Sequence, residues 1–346
     1  MPYGVGLIGA GPGVEALHIP TLARLAEHLR VVHVSGSGSG RAAALGARLG
    51  VRASTGSAEL LADSEVQVVA ICSPPERHAE QILAAVAAGK RAILCEKPLA
   101  LSREDAEAAI DACRASGTAL IIGTNHLFDP AWNRTKHHLL ASGGEVRALS
   151  VTAALPPNGR YHEVVAEPEA SAVPQRPRPD WGDPVVAAGI VRQLVLGLAI
   201  HDLPALRDLA PHAPRIVFAR PIAPIGYSIG YQAGEVLVQL TAVMVPGGAD
   251  ALWRMSVMTS LDRIDVEFPP AFVHAGSANV TVRTPDGRIN GYPLDPSDGY
   301  VEEWCALLHA LDGTDSIEYA ELLDDALYAI ELADAAAHAI REGGRR

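Results

Sequence analysis

Two short segments carry residue types that together could perform redox chemistry. Lys97 follows the apolar run at residues 92–95, which predicts a buried strand with an ammonium group at its carboxyl end. Open α/β sheets bind ligands at that end, where a rigidly held lysine can act as an acid or a base. Upstream, a Gly-rich loop at residues 9–14 follows another apolar run, the context expected of a dinucleotide-binding turn. Together they predict a nicotinamide-dependent site in which Lys97 exchanges a proton.

The loop after the first strand has the sequence Gly-Ala-Gly-Pro-Gly-Val. Its first two glycines permit a tight turn and let backbone amides approach a pyrophosphate at a helix N-terminus. The third glycine of the usual G-x-G-x-x-G pattern is replaced by a valine, and the proline removes one amide donor, which a first helical turn tolerates. An ordinary Gly-rich turn has the same composition. The residues that we predict to contact the cofactor here are Gly9, Gly11, Pro12, Gly13 and Val14.

The end of the second predicted strand discriminates between NAD and NADP. NAD-specific folds place Asp or Glu there to bind ribose hydroxyls, whereas a 2′-phosphate needs a cation and small donors. Residues 35–41 read Ser-Gly-Ser-Gly-Ser-Gly-Arg, without a carboxylate. We therefore predict NADP(H), bound through Ser35, Gly36, Ser37 and Arg41. The alternative is a flexible surface loop in which Arg41 only begins a helix.

The segment after the third core strand, residues 72–78, is the next predicted contact with the cofactor. Its prolines stop the strand and begin a helix, while Ser73 can cap that helix or touch a ribose. Taken alone, His78 is more typical of a packing residue at a helix end. The remaining cofactor contacts that we predict are Cys72, Ser73, Pro74, His78, Glu96 and Lys97.

The length, charge and composition of the chain limit which class of protein it can be. A chain of 346 residues can bury two cores, and we expect domains at residues 1–123 and 124–346. A formal net charge of -12 argues against a nucleic-acid partner, since such partners require clustered Lys and Arg. The four cysteines lack metal-ligand spacing, which predicts reduced thiols in a cytoplasm and no metal site. We expect no export signal, and we expect the apolar run at residues 185–200, interrupted by Arg192, to be too short for a bilayer.

The alternation of short apolar runs with Ala-rich helical periodicity over residues 4–122 predicts a doubly wound parallel sheet, the Rossmann architecture. The predicted strands are 5–8, 30–34, 66–71, 91–94 and 119–122, with helices at 16–29, 41–49, 57–62, 77–88 and 104–116. Longer alternating runs then predict antiparallel strands at 146–154, 234–245, 252–260, 263–268 and 279–284. Helices are predicted at 186–209, 300–311 and 319–341.

The order of these motifs resembles the glucose-fructose oxidoreductase, inositol dehydrogenase and rhizopine-catabolism family (Gfo/Idh/MocA). The resemblance covers almost the whole chain, and Glu96-Lys97-Pro98 is its most specific motif. The other matches are the Gly9 loop with His18-Ile19-Pro20, Ser73-Pro74 with His78, Gly89-Lys90, Phe128-Asp129-Pro130 and His201-Asp202-Leu203. Ser35-Gly36 is similar to the NADP-using branch.

The resemblance implies an α+β second domain with an open, mostly antiparallel sheet whose outer face makes a homodimer or homotetramer. It implies hydride transfer between nicotinamide and a hydroxyl-bearing or keto carbon of a sugar, cyclitol or related polyol. By the same resemblance, Lys97 binds or protonates the reacting oxygen and His201 assists it. The acidic net charge weakly favours an amino-substituted substrate such as an aminosugar.

One departure from the family pattern concerns the second domain. The family signature Asp-x-x-x-His-x-x-Asp keeps His201 here, but Gly197 and Pro204 stand at the carboxylate positions. Residues four apart share a helix face, so Gly197 leaves open the place of a carboxylate, and Asp202 points about 100° away. The residues that we predict to contact substrate are Asn125, His126, Tyr161, Trp181 and Asp202, with Asp129, His162 and Arg192 as further substitutes for the missing charge.

Two other functions are compatible with these residues. The first keeps the fold and cofactor but reduces a C=N bond or a conjugated system, because hydride delivery to an iminium needs less help from a base. The second is a non-catalytic dinucleotide-binding regulator. Gly197 favours the regulator, whereas the retention of Lys97 and His201 disfavours it.

Overall fold

The computed structural model describes residues 1–156, 179–245, 250–271 and 273–343. The chain divides into two compact units. The N-terminal unit comprises Met1–Thr124 and Tyr300–Leu327, and the C-terminal unit comprises Asn125–Gly299 and Tyr328–Arg346. Segments near the end of the chain therefore contribute to both units.

The N-terminal unit is built on a parallel sheet, as predicted. Its described strands are β1 (Tyr3–Ile8), β2 (Leu29–Gly36), β3 (Arg52–Thr55), β4 (Val68–Ile71), β5 (Ala92–Glu96) and β6 (Ala119–Gly123). They lie in the order β3-β2-β1-β4-β5-β6, and every neighbouring pair is parallel. The order reverses beside β1, which places the Gly9 loop at the topological switch point where such sheets bind ligands.

Strand β3 was not predicted from the sequence. Its residues Arg-Ala-Ser-Thr contain no apolar run, and three of the four are exposed. The strand lies at the edge of the sheet, where pairing with β2 alone suffices to form it. Hydrophobic periodicity therefore gave no signal for β3.

Helices connect the strands of the N-terminal unit. They are α1 (Ile19–Arg24), α2 (Arg41–Leu49), α3 (Ala58–Ala62), α4 (His78–Ala87) and α5 (Arg103–Ser116). The single helix predicted at residues 16–29 is wrong, because a π-helical turn at Val14–His18 precedes α1 and the helix ends at Arg24. Pro20 lies in the first turn of α1, where its missing N–H marks the change of helix type. Helix α5 is capped at both ends: Ser102 accepts from the Asp105 amide, and Gly117 adopts the left-handed conformation.

The core of the N-terminal unit lies between this sheet and its helices. Ile71, Ile93 and Leu120 are fully buried in it. Tyr319, Leu322, Leu323 and Ala326, from near the end of the chain, pack against the same core. Segments distant in sequence therefore contribute to one core.

The C-terminal unit contains an eight-stranded sheet within the part of the chain that is described. Its strands are β7 (Val146–Leu155), β8 (Arg215–Pro221), β9 (Gly226–Ala233), β10 (Val236–Met244), β11 (Leu252–Thr259), β12 (Arg263–Glu267), β13 (Asn279–Arg283) and β14 (Ile289–Gly291). The order is β14-β13-β12-β11-β7-β10-β9-β8, with β7 and β10 parallel and the other pairs antiparallel. The mostly antiparallel sheet is confirmed. Strands β8, β9 and β14 were not predicted: glycines interrupt β9, and β14 is only three exposed residues long, whereas β8 contains the apolar run Ile-Val-Phe-Ala.

The remaining described helices are α6 (Asn125–Phe128), α7 (Pro130–Ser142), α8 (Pro184–Gly197), α9 (Leu203–Leu209), α10 (Gly299–Leu311) and α11 (Tyr319–Gly343). Helix α7 was not predicted, although Asp129 caps it by accepting from the Ala131 amide at 2.7 Å. A 3₁₀ turn at Ala199–His201 separates α8 from α9.

One described stretch, Pro184–His201, is long and apolar enough to cross a membrane by length and composition, with mean hydropathy 1.6. The expectation that this run is too short is therefore wrong. An apolar core helix has the same composition. Helix α8 contacts β8 and β9, and its Arg192 pairs with Asp334 at 2.6 Å, as in a packed helix of the C-terminal unit.

Candidate functional site

The Gly9 loop joins the ends of three strands of the N-terminal unit. The Gly9 amide donates to the Ser35 carbonyl at 2.9 Å, and the Cys72 amide donates to the Ile8 carbonyl at 2.8 Å. Gly9 has φ 121°, and an added Cβ would lie 2.4 Å from the Cys72 carbonyl oxygen, so only glycine fits. An added Cβ on Gly11, in contrast, meets nothing within 4 Å. The loop is thus closely packed against Cys72 at Gly9, whereas the space next to Gly11 is open. A turn that binds a phosphate needs such an open side.

The loop after β2 is exposed and contains no carboxylate. Residues 37–41 are all exposed, and Gly40 has φ 90° immediately before α2. A pocket of about 170 Å³ lies beside it, lined by Gly38, Gly40, Ala42, Ala43, Ala53, Ser54 and Thr55. Ser35 is only 1% exposed, and its buried Oγ has no hydrogen-bond partner among the described residues. A buried hydroxyl without a partner costs roughly 1–3 kcal/mol, a cost that a ligand oxygen would relieve.

His78 connects two other loops at this edge. It is fully buried, with Nδ1 2.8 Å from the Pro98 carbonyl oxygen and Nε2 2.9 Å from the Ser73 carbonyl oxygen. The Ser73 hydroxyl donates to Gln81 Oε1 at 2.6 Å. His78 therefore positions the loops after β4 and β5, and its ring is enclosed by protein. The buried side chain of Val14, 2% exposed, likewise supports the Gly9 loop from below.

Glu96 is held by residues that sequence reasoning did not connect to it. His18 Nε2 lies 2.9 Å from Glu96 Oε1, and Trp304 Nε1 lies 3.2 Å from His18 Nδ1. The Glu96 carboxylate accepts, so His18 Nε2 carries a proton and donates it in this hydrogen bond. Burial would raise the pKa of Glu96, but the His18 hydrogen bond and the Lys97 charge outweigh it and lower that pKa. Glu96 is therefore ionised.

Lys97 lies beside that carboxylate. Its backbone amide donates to Glu96 Oε2 at 3.3 Å, and its side chain is partly buried. Burial lowers the pKa of the Lys97 ammonium, and the neighbouring Glu96 charge opposes this effect without cancelling it. A lysine with a lowered pKa is closer to exchanging its proton at physiological pH.

In the C-terminal unit, His201 ends the 3₁₀ turn that precedes α9. Its Nδ1 lies 2.6 Å from Oδ1 of Asn125, the first residue of α6, and both side chains are buried. This contact joins residues 76 positions apart in the chain. The structure therefore brings together two residues, Asn125 and His201, that were predicted separately.

His126 and Asp202 form a second buried pair next to His201. His126 Nδ1 lies 2.8 Å from Asp202 Oδ1, and Trp253 Nε1 donates to Asp202 Oδ2 at 2.9 Å. The His126 ring stacks on Phe268 with centroids 3.7 Å apart. Asp202 is 2% exposed, so both its oxygens are engaged within the C-terminal unit. Asp202 therefore organises the neighbourhood of His201.

The position of the missing family carboxylate is open. An added Cβ on Gly197 meets nothing within 4 Å, whereas Pro204 is buried. Gly197 borders a pocket of about 220 Å³ in the C-terminal unit, with a largely apolar lining of Leu155, Pro156, Gln193, Leu194, Leu198, Ile225, Gly226, Ala242, Val243 and Met244.

The other predicted residues have the following locations. Trp181 is partly buried in a turn before α8. Tyr161 and His162 lie outside the described residues. Asp129 is 3% exposed and accepts from the Ala278 amide at 2.9 Å, a structural role. In the described parts of the chain, no group of three or more His, Cys, Asp or Glu side chains could hold a metal ion.

The chain is similar in sequence to known oxidoreductases. The family model described as an oxidoreductase family with an NAD-binding Rossmann fold matches residues 3–124. A 1,5-anhydro-D-fructose reductase of Ensifer adhaerens is 28% identical over 82% of this chain and 81% of the relative. An inositol 2-dehydrogenase of Rhizobium meliloti is 27% identical over 97% of this chain and 96% of its own length.

A solved structure extends the likeness to the whole fold. It is a 3-ketoreductase from Actinomadura kijaniata in complex with NADP and TDP-benzene. The TM-score is 0.74 at 22% sequence identity, with 98% of each chain covered. Both units of the present chain therefore have counterparts in that protein.

Proposed function

We propose that this chain, whose residues 3–124 match the Gfo/Idh/MocA family model, is an NADP(H)-dependent oxidoreductase acting on a sugar, aminosugar or cyclitol. Hydride moves between the nicotinamide and a carbon that bears a hydroxyl or keto group. Relatives named as a sugar reductase and an inositol dehydrogenase support this substrate class. The enzyme acts in the cytoplasm, which the four free cysteines support.

The observation that carries the proposal is the setting of Lys97. It lies at the carboxyl end of β5, partly buried beside an ionised Glu96, and burial lowers its pKa. Lys97 donates a proton to the keto oxygen during reduction and accepts the hydroxyl proton during oxidation. His201 assists by hydrogen bonding to the substrate. Positioned acid-base groups of this kind contribute about 10²–10⁴-fold to a rate.

The residues present fit NADP(H). The open backbone above Gly11, the exposed Ser37 and Arg41, and the orphaned buried hydroxyl of Ser35 are the features a phosphate-bearing cofactor needs. Gly9, Gly11 and Gly13 would hold the pyrophosphate, and Arg41 with Ser37 would hold the 2′-phosphate. The cofactor supplies or takes up the hydride when bound. The solved 3-ketoreductase with NADP supports this choice of cofactor.

Cofactor titrations and turnover test the proposal together. Fluorescence titrations should show NADPH preferred over NADH by at least about tenfold, roughly 1.4 kcal/mol, and Arg41→Ala with Ser35→Asp should abolish that preference. Cofactor oxidation is then followed against ketosugars and ketocyclitols with and without amino groups. Tight NADPH binding without turnover on any of them would instead support the dinucleotide-binding regulator.

We also propose that the C-terminal sheet mediates a homodimer or homotetramer. One face of this sheet carries small and polar residues, including Ser150, Thr152, Gln239 and Thr241, that alternate with buried apolar ones. Light scattering tests the assembly. Arg substitutions at Ser150 and Thr152 should yield monomers, whereas a wild-type chain that is monomeric at micromolar concentration contradicts the proposal.

A further inference from the structure

We propose that Trp253 is a positioning residue for His201 and that it acts through the carboxylate of Asp202. Trp253 lies on strand β11, 51 positions after Asp202 in the chain. The inference deepens the proposed function and rests on it, because the part that His201 plays in turnover belongs to that proposal.

The indole of Trp253 supplies one of the hydrogen bonds that hold the Asp202 carboxylate. Its Nε1 lies 2.9 Å from Asp202 Oδ2, and the two residues are 1% and 2% exposed. An indole nitrogen can only donate, so the direction of this bond is fixed. His126 Nδ1 lies 2.8 Å from the other oxygen, Oδ1. A buried carboxylate oxygen that loses its donor keeps the full cost of desolvation, so each donor helps to fix where the carboxylate lies.

The position of Asp202 bears directly on His201, because the two residues are adjacent in the chain. His201 ends the 3₁₀ turn at Ala199–His201, and Asp202 is the residue that follows it. The Trp253 ring also packs edge-to-face against the His201 ring, with centroids 5.2 Å apart and an interplanar angle of 80°. A side chain on β11 therefore constrains the turn that carries His201.

A second buried tryptophan of the same unit provides the matched comparison. Trp132 on α7 is 0% exposed, but its Nε1 has no hydrogen-bond partner among the described residues. Trp132→Phe removes the same atoms as Trp253→Phe, yet it takes no donor from a carboxylate that the structure describes. The two substitutions therefore separate the effect of the indole N–H from the effect of losing part of a large buried ring.

The hydrogen bond to Asp202 can be observed without any turnover. The chain contains four tryptophans, so ¹⁵N-tryptophan labelling of the full chain gives four indole signals, and Phe variants of the other three assign Trp253 by elimination. We expect the Trp253 indole proton to move upfield in Asp202→Asn, because an amide accepts more weakly than a carboxylate. The Trp132 signal should not change. A Trp253 signal that does not respond to Asp202→Asn overturns the proposal, even where Trp253→Phe does not fold.

Histidine spectra test whether this bond influences His201. In ¹⁵N-histidine-labelled protein, His201→Gln identifies the His201 ring signals among the 13 histidines. Trp253→Phe should shift these signals, because the neighbouring Asp202 loses a donor, whereas Trp132→Phe should leave them in place. His201 signals that stay constant in Trp253→Phe overturn the proposal.

Kinetics then measure the consequence for the reaction. Trp253→Phe should lower kcat about tenfold, equivalent to roughly 1.4 kcal/mol, because His201 is held less well in its productive position. The Kd for NADPH should not change, since the predicted cofactor contacts lie in the N-terminal unit. Trp132→Phe should leave both quantities at their wild-type values.

A double-mutant cycle tests whether Trp253 acts through Asp202. In Asp202→Asn the charged acceptor is already lost, so adding Trp253→Phe should lower kcat by less than about threefold further. An equal loss in both backgrounds would mean that Trp253 acts by packing alone, and would overturn the proposal. If wild-type protein turns over no substrate, the proposed function fails, while the two sets of spectra still decide whether Trp253 positions Asp202 and His201.

Discussion

Replacing Glu96 by Gln tests how the N-terminal unit sets the proton affinity of Lys97. Glu96 is ionised, and its charge is the influence that opposes the lowering of the Lys97 pKa by burial. Gln keeps the shape and can still accept from His18, whose Nε2 lies 2.9 Å from Glu96 Oε1. The substitution therefore removes charge while the local packing remains.

The magnitude follows from the environment of the carboxylate. An opposite charge within about 4–6 Å shifts a pKa by roughly 1–3 units. The Glu96 side chain is 23% exposed, so water screens part of its field and we expect the lower end of that range. Glu96→Gln should lower the pKa of Lys97 by about one further unit, equivalent to roughly 1.4 kcal/mol.

Lysine NMR measures this shift directly. The chain contains three lysines, Lys90, Lys97 and Lys136, so ¹³Cε-lysine labelling gives three signals that single Lys→Arg variants assign. The Lys97 midpoint should lie below the ordinary lysine value in wild type and lower still in Glu96→Gln. Lys136, which pairs with Asp208 at 3.2 Å in the other unit, should not change.

The matched control is Glu107→Gln, which removes an exposed carboxylate from helix α5 of the same unit. It should leave the Lys97 midpoint in place. A Lys97 midpoint that stays constant or rises in Glu96→Gln would refute the electrostatic role assigned to Glu96.

Two further predictions concern the N-terminal unit. Gly9→Ala should lower the free energy of unfolding by about 2 kcal/mol or more, because its Cβ would lie 2.4 Å from a carbonyl oxygen at φ 121°. Gly11→Ala should unfold like wild type but bind NADPH more weakly; equal unfolding midpoints for the two variants in urea would contradict this. For Asp63, burial raises the pKa, but hydrogen bonding from His33 and the charge of Arg52 outweigh burial and lower it. Its stabilisation is therefore present above the unfolded-state pKa near 3.8 and lost as pH falls through the lower folded value, so Asp63→Asn should flatten the acid side of a stability-pH curve. An Asp63→Asn protein with an unchanged acid slope would contradict that role.

Local patterns sufficed for much of the fold. The Gly9 loop and strand β5 depend on residues adjacent in sequence, so the glycine pattern and an apolar run predicted them. Strand β3 is exposed at an edge, and β9 contains glycines, so neither has the alternation that patterning requires. These strands form because a neighbouring strand offers its hydrogen bonds.

The candidate site likewise combines residues that local sequence patterns predicted with partners that they did not predict. Lys97 and His201 stand in recognisable motifs, but their partners come from distant positions. Trp304 contacts His18 across 286 positions, and Trp253 contacts Asp202 across 51. Nothing near Trp304 or Trp253 in the sequence marks them as partners of buried polar groups. Such hydrogen bonds are specified only after the strands and helices have packed.

The central claim is that Lys97 exchanges a proton with the reacting oxygen of the substrate. Turnover by Lys97→Ala tests this claim most directly. Wild-type protein, Lys97→Ala and the control Lys136→Ala are compared for NADPH binding by fluorescence and for NADPH oxidation with the ketosugar and ketocyclitol panel. The account predicts that Lys97→Ala still binds NADPH but loses about 10²–10⁴-fold in kcat/KM, while Lys136→Ala behaves as wild type. Undiminished turnover by Lys97→Ala would contradict the account.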